Sequence, residues 1–316
     1  MHPAKSVIFF TTASGAGYGV LILFILMDIA GLIPGGWDVT LISLGVALGL
    51  ITAGLLSSTA HLGHPERAWR AMSQWRTSWL SREGLFALIT FLPVLIYGAG
   101  RLVYPDMTTP WQPVVAALSV ALALITVYCT AMIYASLRPI PAWSNGWTPV
   151  CYLTLSLSSG AVLLNALSFF LGFASVFLIL FSIVLLLAGL IAKVMYWQSI
   201  ALASPRSTAE SATGLGGMGT VKLFEAPHQG DNYLMTEMGF KIARKHAARL
   251  KRLAILWGFV FPIIAIFLTR YSEGAITIGL LAISVLTAAV GLIAERYLFF
   301  AEAKHSVTLF YGESAA

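Results

Sequence analysis

Two ionisable residues at the ends of long apolar stretches, His61 and Glu83, have the chemistry that proton-coupled electron transfer requires. His61 ends the second apolar stretch and Glu83 begins the third, so both are expected at the same boundary between lipid and water. A quinone ring carries two oxygens that gain or lose protons as electrons move. A histidine titrates near neutral pH and can hydrogen-bond one of them, and a glutamate can pass protons to water. The pair favours a quinone site, to which we also assign His64 and Arg82; the alternative is that His61 and Glu83 are ordinary interfacial polar residues.

The segment between these two residues is rich in arginine and tryptophan. Both residue types are enriched at the energetic centres of protein interfaces, and the tryptophans exceed what a loop needs for anchoring. We therefore predict a docking surface for an acidic protein partner. The alternative is that the arginines only fix the orientation in the membrane. The residues predicted to bind the partner are Arg67, Trp69, Arg70, Trp75, Arg76 and Trp79.

Haem and metal sites are not expected. A b-type haem between membrane helices needs two histidines, or a histidine and a methionine, that face each other within the spans. None of the six histidines lies in the middle of an apolar stretch, although a haem at the boundary, built from His61, His246 or His305, stays an alternative. Cys129 and Cys151 show no metal-ligand spacing, and we interpret them as packing residues.

The elements that must position these residues are membrane-spanning helices. Of the 316 residues, 58% are hydrophobic and only 10% are charged, whereas soluble domains carry roughly 25% charged residues. A helix needs ~20 apolar residues to cross a bilayer, and its backbone groups must pair within the segment. The sequence therefore predicts an all-α integral membrane protein, a single polytopic domain over residues 1–316 that forms a bundle of eight transmembrane helices. The predicted spans are about 7–31, 39–60, 84–104, 113–137, 149–171, 174–200, 252–269 and 275–300.

The distribution of basic residues predicts the orientation of this bundle. Eight spans place both termini on one side. Only Arg101 and Arg270 fall on the other side, which leaves 17 of the 19 lysines and arginines with the termini and the 61–83, 138–148 and 201–251 loops. Because positive charge accumulates in cytoplasmic loops, both termini and these loops are predicted to be cytoplasmic. The net charge of +6 is explained by this topology, so we expect membrane lipid and no nucleic acid as a partner.

The longest predicted cytoplasmic loop, residues 201–251, changes character along its length. It begins with a Ser/Thr/Gly-rich segment and ends in the basic run GFKIARKHAARLKRL. Apolar residues at helical spacing in this run, such as Phe240, Ile242 and Leu250, predict a short basic amphipathic helix that lies on the membrane or under a partner. An equally supported alternative is a positively charged stop before the seventh span.

Three ionisable residues, Asp28, Lys193 and Glu295, lie within or near the predicted spans, where such residues are functional candidates. Because all three lie toward span ends, where charged side chains reach water at little cost, we interpret them as ordinary interfacial charges. Asn165 in the fifth span is expected to pair with another helix. A transporter or channel would require discontinuous helices and charge buried at mid-membrane, and the apolar stretches show little of either.

Two segments resemble the membrane anchor subunits of the DMSO reductase family, the DmsC-type anchors. The first is HLGHPERAWRAMSQWRTSWLSRE, and the second is TEMGFKIARKHAARLKRL, which is similar to the sulfite dehydrogenase branch of that family, the SoeC-type anchors. The resemblance covers essentially the whole chain, and the eight spans agree with it. The features matched in the first segment are His-Leu-Gly at 61–63, Pro65, Arg67-Ala68, and Ser81 with Glu83.

The resemblance implies a complex of three subunits in a bacterial inner membrane. A molybdopterin catalytic subunit and an iron–sulfur subunit would lie outside the bilayer, and this chain would hold them and exchange electrons with ubiquinone or menaquinone. The family's quinol-site histidine falls on His61, and its glutamate falls on Glu83. Such anchors generally lack haem. The chain would not be catalytic by itself for the substrate, but it would be the quinone-reactive subunit of an oxidoreductase.

The branch of the family decides the direction of electron flow. A SoeC-type anchor delivers electrons from sulfite to quinone, with its soluble partners in the cytoplasm, whereas a DMSO reductase anchor takes electrons from menaquinol. The predicted cytoplasmic position of the 61–83 loop favours the first branch, and the second is the alternative. Two further hypotheses stay open: a purely structural anchor whose partner binds the quinone, and a transporter-like membrane protein.

Overall fold

The computed structural model describes residues 5–59, 64–106, 109–203, 205–225 and 244–314. These residues include eight helices that are long and apolar enough to cross a membrane, which confirms the predicted helical bundle. We number the eight helices in chain order. They are Lys5–Ile29 (α1), Trp37–Thr59 (α2), Trp79–Val103 (α3), Trp111–Ala135 (α4), Trp147–Phe170 (α5), Val176–Leu202 (α6), Ala247–Tyr271 (α7) and Gly274–Ala301 (α8).

Four helices begin at a tryptophan, and all four begin earlier than the sequence predicted. The first residues of α2, α3, α4 and α5 are Trp37, Trp79, Trp111 and Trp147. Tryptophan prefers the boundary between lipid and water, so the first turn of each helix is expected there. The difference is largest for α3, where the Ser78 side chain accepts the N–H of Ser81 at 3.4 Å and caps the helix. This cap brings the polar residues before Gly84 into the helix.

Helix α1 occupies the centre of the bundle, where it contacts α2, α4, α5 and α8. Gly19 of α1 meets Gly160 of α5 so closely that a Cβ on Gly19 would lie 1.9 Å from the Ser156 carbonyl oxygen. Small residues let helix backbones approach in this way inside a membrane. The contact holds together two of the helices that carry the candidate site.

Helix α7 contains a π-helical segment, Leu256–Val260, just before Pro262. A proline has no N–H to donate to the preceding turn, and membrane helices accommodate that loss by local π adjustments. Within the segment Gly258 packs on Gly291 of α8, where a Cβ on Gly291 would lie 2.0 Å from the Gly258 nitrogen. This contact fixes the distance between α7 and α8 one turn before Glu295.

A buried ion pair joins the end of α1 to the end of α3. Arg101 Nη2 lies 2.9 Å from Asp28 Oδ1, and the Tyr97 hydroxyl donates to Asp28 Oδ2. Arg101 also donates to the Pro34 carbonyl at 3.3 Å. Both charged side chains are 2% exposed, so the interpretation of Asp28 as an interfacial charge was wrong. We call Asp28, Tyr97 and Arg101 the Asp28 cluster.

Two smaller predictions about the helix interfaces are confirmed. Cys129 and Cys151 are buried free cysteines, as expected for packing residues. Asn165 of α5 donates from Nδ2 to the Ser182 hydroxyl of α6 at 3.4 Å, so it does pair with another helix.

The segment between α6 and α7 contains a short helical turn, Ala209–Thr213. Residues 226–243 lie outside the described residues, and with them the beginning of the predicted amphipathic helix, including Phe240 and Ile242. The basic residues that follow, Ala247–Ile255, form the beginning of α7. The described part of the basic run is therefore continuous with the seventh span.

Candidate functional site

Glu83 lies in the second turn of α3 and points into the bundle. It is 4% exposed, and its Oε1 accepts a hydrogen bond from the Thr130 hydroxyl of α4 at 2.5 Å. Tyr18 of α1 and Tyr134 of α4 lie close to this carboxyl group. Burial of a carboxylate is costly, and an ionisable group kept inside a membrane bundle is a functional candidate by default.

Thr130 also contributes to the wall of a small polar cavity between α1, α4, α5 and α8. The cavity has a volume of about 10 Å³, which is near the lower limit for one water molecule. Its wall includes the side chains of Tyr18, Tyr152 and Arg296, all of them buried. Glu83 is therefore one hydrogen bond away from the cavity. We call Tyr18, Glu83, Thr130, Tyr152 and Arg296 the polar layer.

Arg296 is held on α8 by a group of buried charges. Its Nε lies 3.2 Å from Glu295 Oε2, and Lys193 Nζ of α6 lies 2.5 Å from Glu295 Oε1. The guanidinium carbon of Arg296 lies 4.0 Å from the centroid of the Tyr152 ring, a cation–π contact. Two cations and one carboxylate leave a positive charge in excess beside the cavity.

Four members of the polar layer lie at a common depth in the bundle. Glu83 and Tyr152 stand four and five residues after the beginnings of α3 and α5, and Thr130 and Arg296 stand five residues before the ends of α4 and α8. At 1.5 Å per residue this depth is ~6–8 Å inside the helix ends. These four ends share one side if each helix crosses the membrane. The layer can therefore bind an oxygen-bearing ligand below the membrane surface and exchange protons with it.

Of the two histidines predicted for the quinone site, the structure describes only His64, which is not brought to Glu83. His61 lies outside the described residues. The His64 side chain is 67% exposed, and its Nδ1 lies 3.0 Å from Glu66 Oε1. His64 therefore belongs to the surface of the loop, whereas Glu83 belongs to the interior of the bundle.

Arg82 holds the loop that precedes α3. It donates from Nε to the Trp75 carbonyl at 2.9 Å and from Nη2 to the Arg76 carbonyl at 2.7 Å. Its guanidinium carbon lies 4.3 Å from the centroid of the Trp79 ring, and this ring packs edge-to-face on Tyr128 of α4. Arg82 and Trp79 thus fix the loop against the bundle, one residue before the chain turns Glu83 inward.

The other residues predicted to bind a partner form an exposed surface. The loop folds into a 3₁₀ helix, Pro65–Gln74, that packs on the beginning of α3. Trp69 and Trp75 are 64% and 49% exposed, and each has an arginine at 5.6 Å from its ring, Arg70 and Arg76 respectively. Arg67 is exposed beside them. We call Arg67, Trp69, Arg70, Trp75 and Arg76 the Arg–Trp surface.

Sequence reasoning missed four members of the polar layer, Tyr18, Thr130, Tyr152 and Arg296. It was also wrong about Lys193 and Glu295, which do not reach water, since each side chain is 1% exposed and the two pair with each other. A usable signal was present: a carboxylate and an arginine adjacent in one apolar stretch, with a lysine near the same side of another, predict a buried ion pair.

The fold and the two buried charge clusters define a polytopic helical membrane protein whose polar layer lies toward one end of the bundle. A model of the family described as DMSO reductase anchor subunit (DmsC) matches residues 1–312. The protein belongs to this family of membrane anchor subunits.

Individual relatives agree with this assignment to different extents. The sequence is 35% identical to a sulfite dehydrogenase subunit of Allochromatium vinosum, in an alignment that spans 98% of this protein and 99% of the relative. It is 27% and 30% identical to two anaerobic dimethyl sulfoxide reductase subunits of Escherichia coli, the first of which is YnfH. Those alignments span 52% of this protein and 58% of each relative. The family resemblance predicted from the sequence is confirmed.

Proposed function

We propose that this protein anchors a molybdoenzyme complex in the membrane and passes electrons between an iron–sulfur subunit and the quinone pool. The observation that carries the proposal is the buried Glu83 carboxyl, joined by Thr130 to a cavity that Tyr18, Tyr152 and Arg296 line. A quinone needs hydrogen-bond donors for its oxygens and an exchangeable proton near them, and the polar layer supplies both. His61 is proposed as the second proton-exchanging residue.

The chemistry at this site is quinone reduction in the favoured direction. Two electrons from the iron–sulfur subunit and two protons convert the two carbonyl groups of the quinone into two hydroxyl groups. Glu83 supplies a proton to the nearer oxygen and recovers it from the cytoplasmic side, which lies ~6 Å away along α3. The substrate of the complex is oxidised on the catalytic subunit, so this protein needs no catalytic site for it.

We propose that the Arg–Trp surface binds the iron–sulfur subunit. Its tryptophans are unusually exposed for large apolar side chains, and arginine and tryptophan together are typical of interface centres. The surface lies on the loop that leads into α3, four residues before Glu83, so the bound partner would be close to the quinone site. An electron would then cross only the first turns of α3.

The favoured complex oxidises sulfite in the cytoplasm and reduces quinone. The similarity to the sulfite dehydrogenase subunit extends over nearly the full length of both proteins, whereas the similarity to the dimethyl sulfoxide reductase subunits extends over about half. The positive charge of the 61–83 and 201–251 loops favours partners in the cytoplasm. The alternative is a quinol-oxidising anchor of a DMSO reductase.

Purification of the complex from native membranes tests the proposal of a partner. We expect a molybdenum subunit and an iron–sulfur subunit to co-purify. A molybdenum subunit without a twin-arginine signal supports sulfite oxidation in the cytoplasm, and one with that signal supports the DMSO reductase alternative. If the protein purified alone and moved solutes across liposomes, the anchor proposal would be rejected in favour of a transporter.

Glu83→Gln and His61→Ala test the quinone site in the assembled complex. Each variant should reduce the rate of quinol formation by ~100-fold, as expected for loss of a general acid–base. Electron transfer to a soluble artificial acceptor should be unchanged. Glu273→Gln, at the exposed beginning of α8, is the matched control and should behave as wild type. If both site variants formed quinol at the wild-type rate, the assignment of the quinone site to Glu83 and His61 would be wrong.

A further inference from the structure

An apolar groove opens beside the polar cavity and faces the lipid. It has a volume of about 280 Å³ and lies between α1, α2, α5 and α8. Phe9 and Ile293, which are 48% and 49% exposed, line it, so it is accessible from the outside of the bundle. The groove and the cavity share part of their walls. The shared residues are Thr12, Ala16, Ser159 and Leu292.

The cavity at the inner side of this groove is lined by donors that find no hydrogen-bond acceptor among the described residues. The Tyr18 hydroxyl lies near Thr126 and the Tyr152 hydroxyl near Tyr134, but neither pair reaches hydrogen-bond geometry. Arg296 Nη1 likewise makes no hydrogen bond within the described part of the protein. All three side chains are at most 4% exposed. Buried donors normally have partners because an unmade hydrogen bond costs ~1–3 kcal/mol, so three of them at one small cavity point to an acceptor that arrives from outside.

We propose that the quinone enters through this groove, with its ring at the inner end, one carbonyl oxygen in the polar cavity and its isoprenoid tail along the groove toward the lipid. The proposal rests on the quinone function proposed above and assigns the entry route and the oxygen-binding residues of that site. The groove volume of about 280 Å³ is close to the lower end of the ~300–1,000 Å³ that is typical of small-molecule sites. The cavity of about 10 Å³ has room for one oxygen atom and not for a ring.

Charge makes Arg296 the principal donor to that oxygen. As two electrons reach the quinone, its oxygens gain negative charge before protons arrive. The positive charge in excess on Lys193, Glu295 and Arg296 lies beside the cavity, in surroundings where it is only weakly screened. Glu83 lies on the Thr130 side of the same cavity, so it can protonate the oxygen that Arg296 stabilises.

A phospholipid is a poorer match for the same groove. Its acyl tail would fit the apolar wall, but its phosphate carries several charged oxygens, and the cavity admits one. The phosphate would also have to leave the headgroup region by ~6–8 Å, the depth of the polar layer. A quinone carries no charge on entry and avoids that desolvation.

The test compares two site variants with a matched control in the intact complex. Ala289→Phe fills the groove with a side chain at an exposed position of α8, and Ala282→Phe adds the same ring to an exposed position of α8 outside the groove. We expect Ala289→Phe to raise KM for quinone at least 10-fold with little change in kcat, and Ala282→Phe to leave both unchanged. Arg296→Gln should lower kcat at least 10-fold, because it removes the charge that stabilises the reduced oxygen.

The outcomes separate this proposal from the function on which it rests. If Glu83→Gln stops quinol formation while Ala289→Phe and Arg296→Gln keep wild-type KM and kcat, the groove is not the entry route and the inference is overturned. If the wild-type complex forms no quinol, the proposed function itself fails. Loss of a co-purifying phospholipid from Ala289→Phe, with KM unchanged, would also overturn the inference. Ala289→Phe keeps the test valid even if Arg296→Gln assembles poorly.

Discussion

Two buried clusters of charge lie toward opposite ends of α3, and they are built differently. In the Asp28 cluster one arginine meets one aspartate, and both carboxylate oxygens are engaged, one by Arg101 and one by Tyr97. In the polar layer the carboxyl group of Glu83 is held by a threonine, the cation of Arg296 lies on another helix, and a cavity separates them. In the Asp28 cluster, neither carboxylate oxygen is free to bind a ligand. In the polar layer, hydrogen-bond donors remain that can bind one.

The difference teaches how to distinguish a structural ion pair from a binding site in a membrane protein. Both clusters are almost fully buried, so burial alone does not decide. Charge balance and hydrogen-bond saturation do. Within the described residues, the Asp28 cluster is neutral and leaves only Arg101 Nε without a partner, whereas unpartnered groups of three residues face or adjoin the cavity of the polar layer. The Asp28 cluster should therefore affect stability, and the polar layer should affect turnover.

The largest effect is expected from Arg101→Leu, which leaves the Asp28 carboxylate buried without its cation. Removing one partner of a buried pair costs ~3–5 kcal/mol. The variant should be scarce in membranes and should unfold at a lower temperature in detergent, measured by size-exclusion chromatography after heating. Asp28→Asn combined with Arg101→Leu should recover most of the loss. A single variant as stable as wild type would mean that the pair does not hold α1 to α3.

A smaller effect is expected where α7 meets α8 below the polar layer. Gly291→Ala places a methyl group against the Gly258 backbone, and such overpacking costs ~1–3 kcal/mol. Because Glu295 follows one turn later, turnover per assembled complex should fall as well. Gly279→Ala on the same helix adds its methyl group in open space and should change neither property. Equal behaviour of the two variants would show that the contact between α7 and α8 can relax.

The hydroxyl of Thr130 is expected to contribute about tenfold to quinol formation, equivalent to ~1.4 kcal/mol. Thr130→Val keeps the shape of the side chain but breaks the link between Glu83 and the cavity. The matched control is Thr154→Val on α5, since the Thr154 hydroxyl donates to the Val150 carbonyl and not to Glu83. Steady-state rates with a quinone analogue distinguish the two. Equal rates for both variants would remove Thr130 from the proton path.

The smallest effect is expected from Arg82→Met, which removes two hydrogen bonds to the loop at a partly exposed position. Such a change is worth ~1 kcal/mol or less. Hydrogen exchange of residues 64–78 should become faster, while KM for quinone stays the same. A raised KM with an unchanged loop would instead support the sequence-based assignment of Arg82 to the quinone site.

The helices were predictable from the sequence because apolar length decides them. All eight spans appear near their predicted positions, and Asn165, Cys129 and Cys151 have the predicted roles. The predicted starts of α2 to α5 were too late, by more than one turn for α3. A window of apolar residues excludes the tryptophans and polar caps at which these helices begin. A cap such as Ser78 depends on local geometry that hydropathy does not contain.

The site was predictable only in part. Glu83 stood out because a carboxylate at a span boundary is conspicuous. Its direction into the bundle could not be predicted, because it depends on how the preceding loop is held: Ser81 donates to the Ala71 carbonyl and Arg82 to the Trp75 carbonyl. Arg296 was passed over because pairing across helices cannot be read from one helix. Tyr18 and Tyr152 carry no signal in a single sequence, since tyrosines in apolar stretches are common at packing positions.

A photoreactive quinone analogue, illuminated with the intact complex and mapped by mass spectrometry, tests most directly whether the polar layer is the quinone site. We expect labels on the peptides of α1, α5 and α8 that line the groove, with labelling suppressed by excess unmodified quinone and reduced in Ala289→Phe. Labels confined to a partner subunit, or to the end of the bundle that holds Asp28 and Arg101, would contradict the assignment.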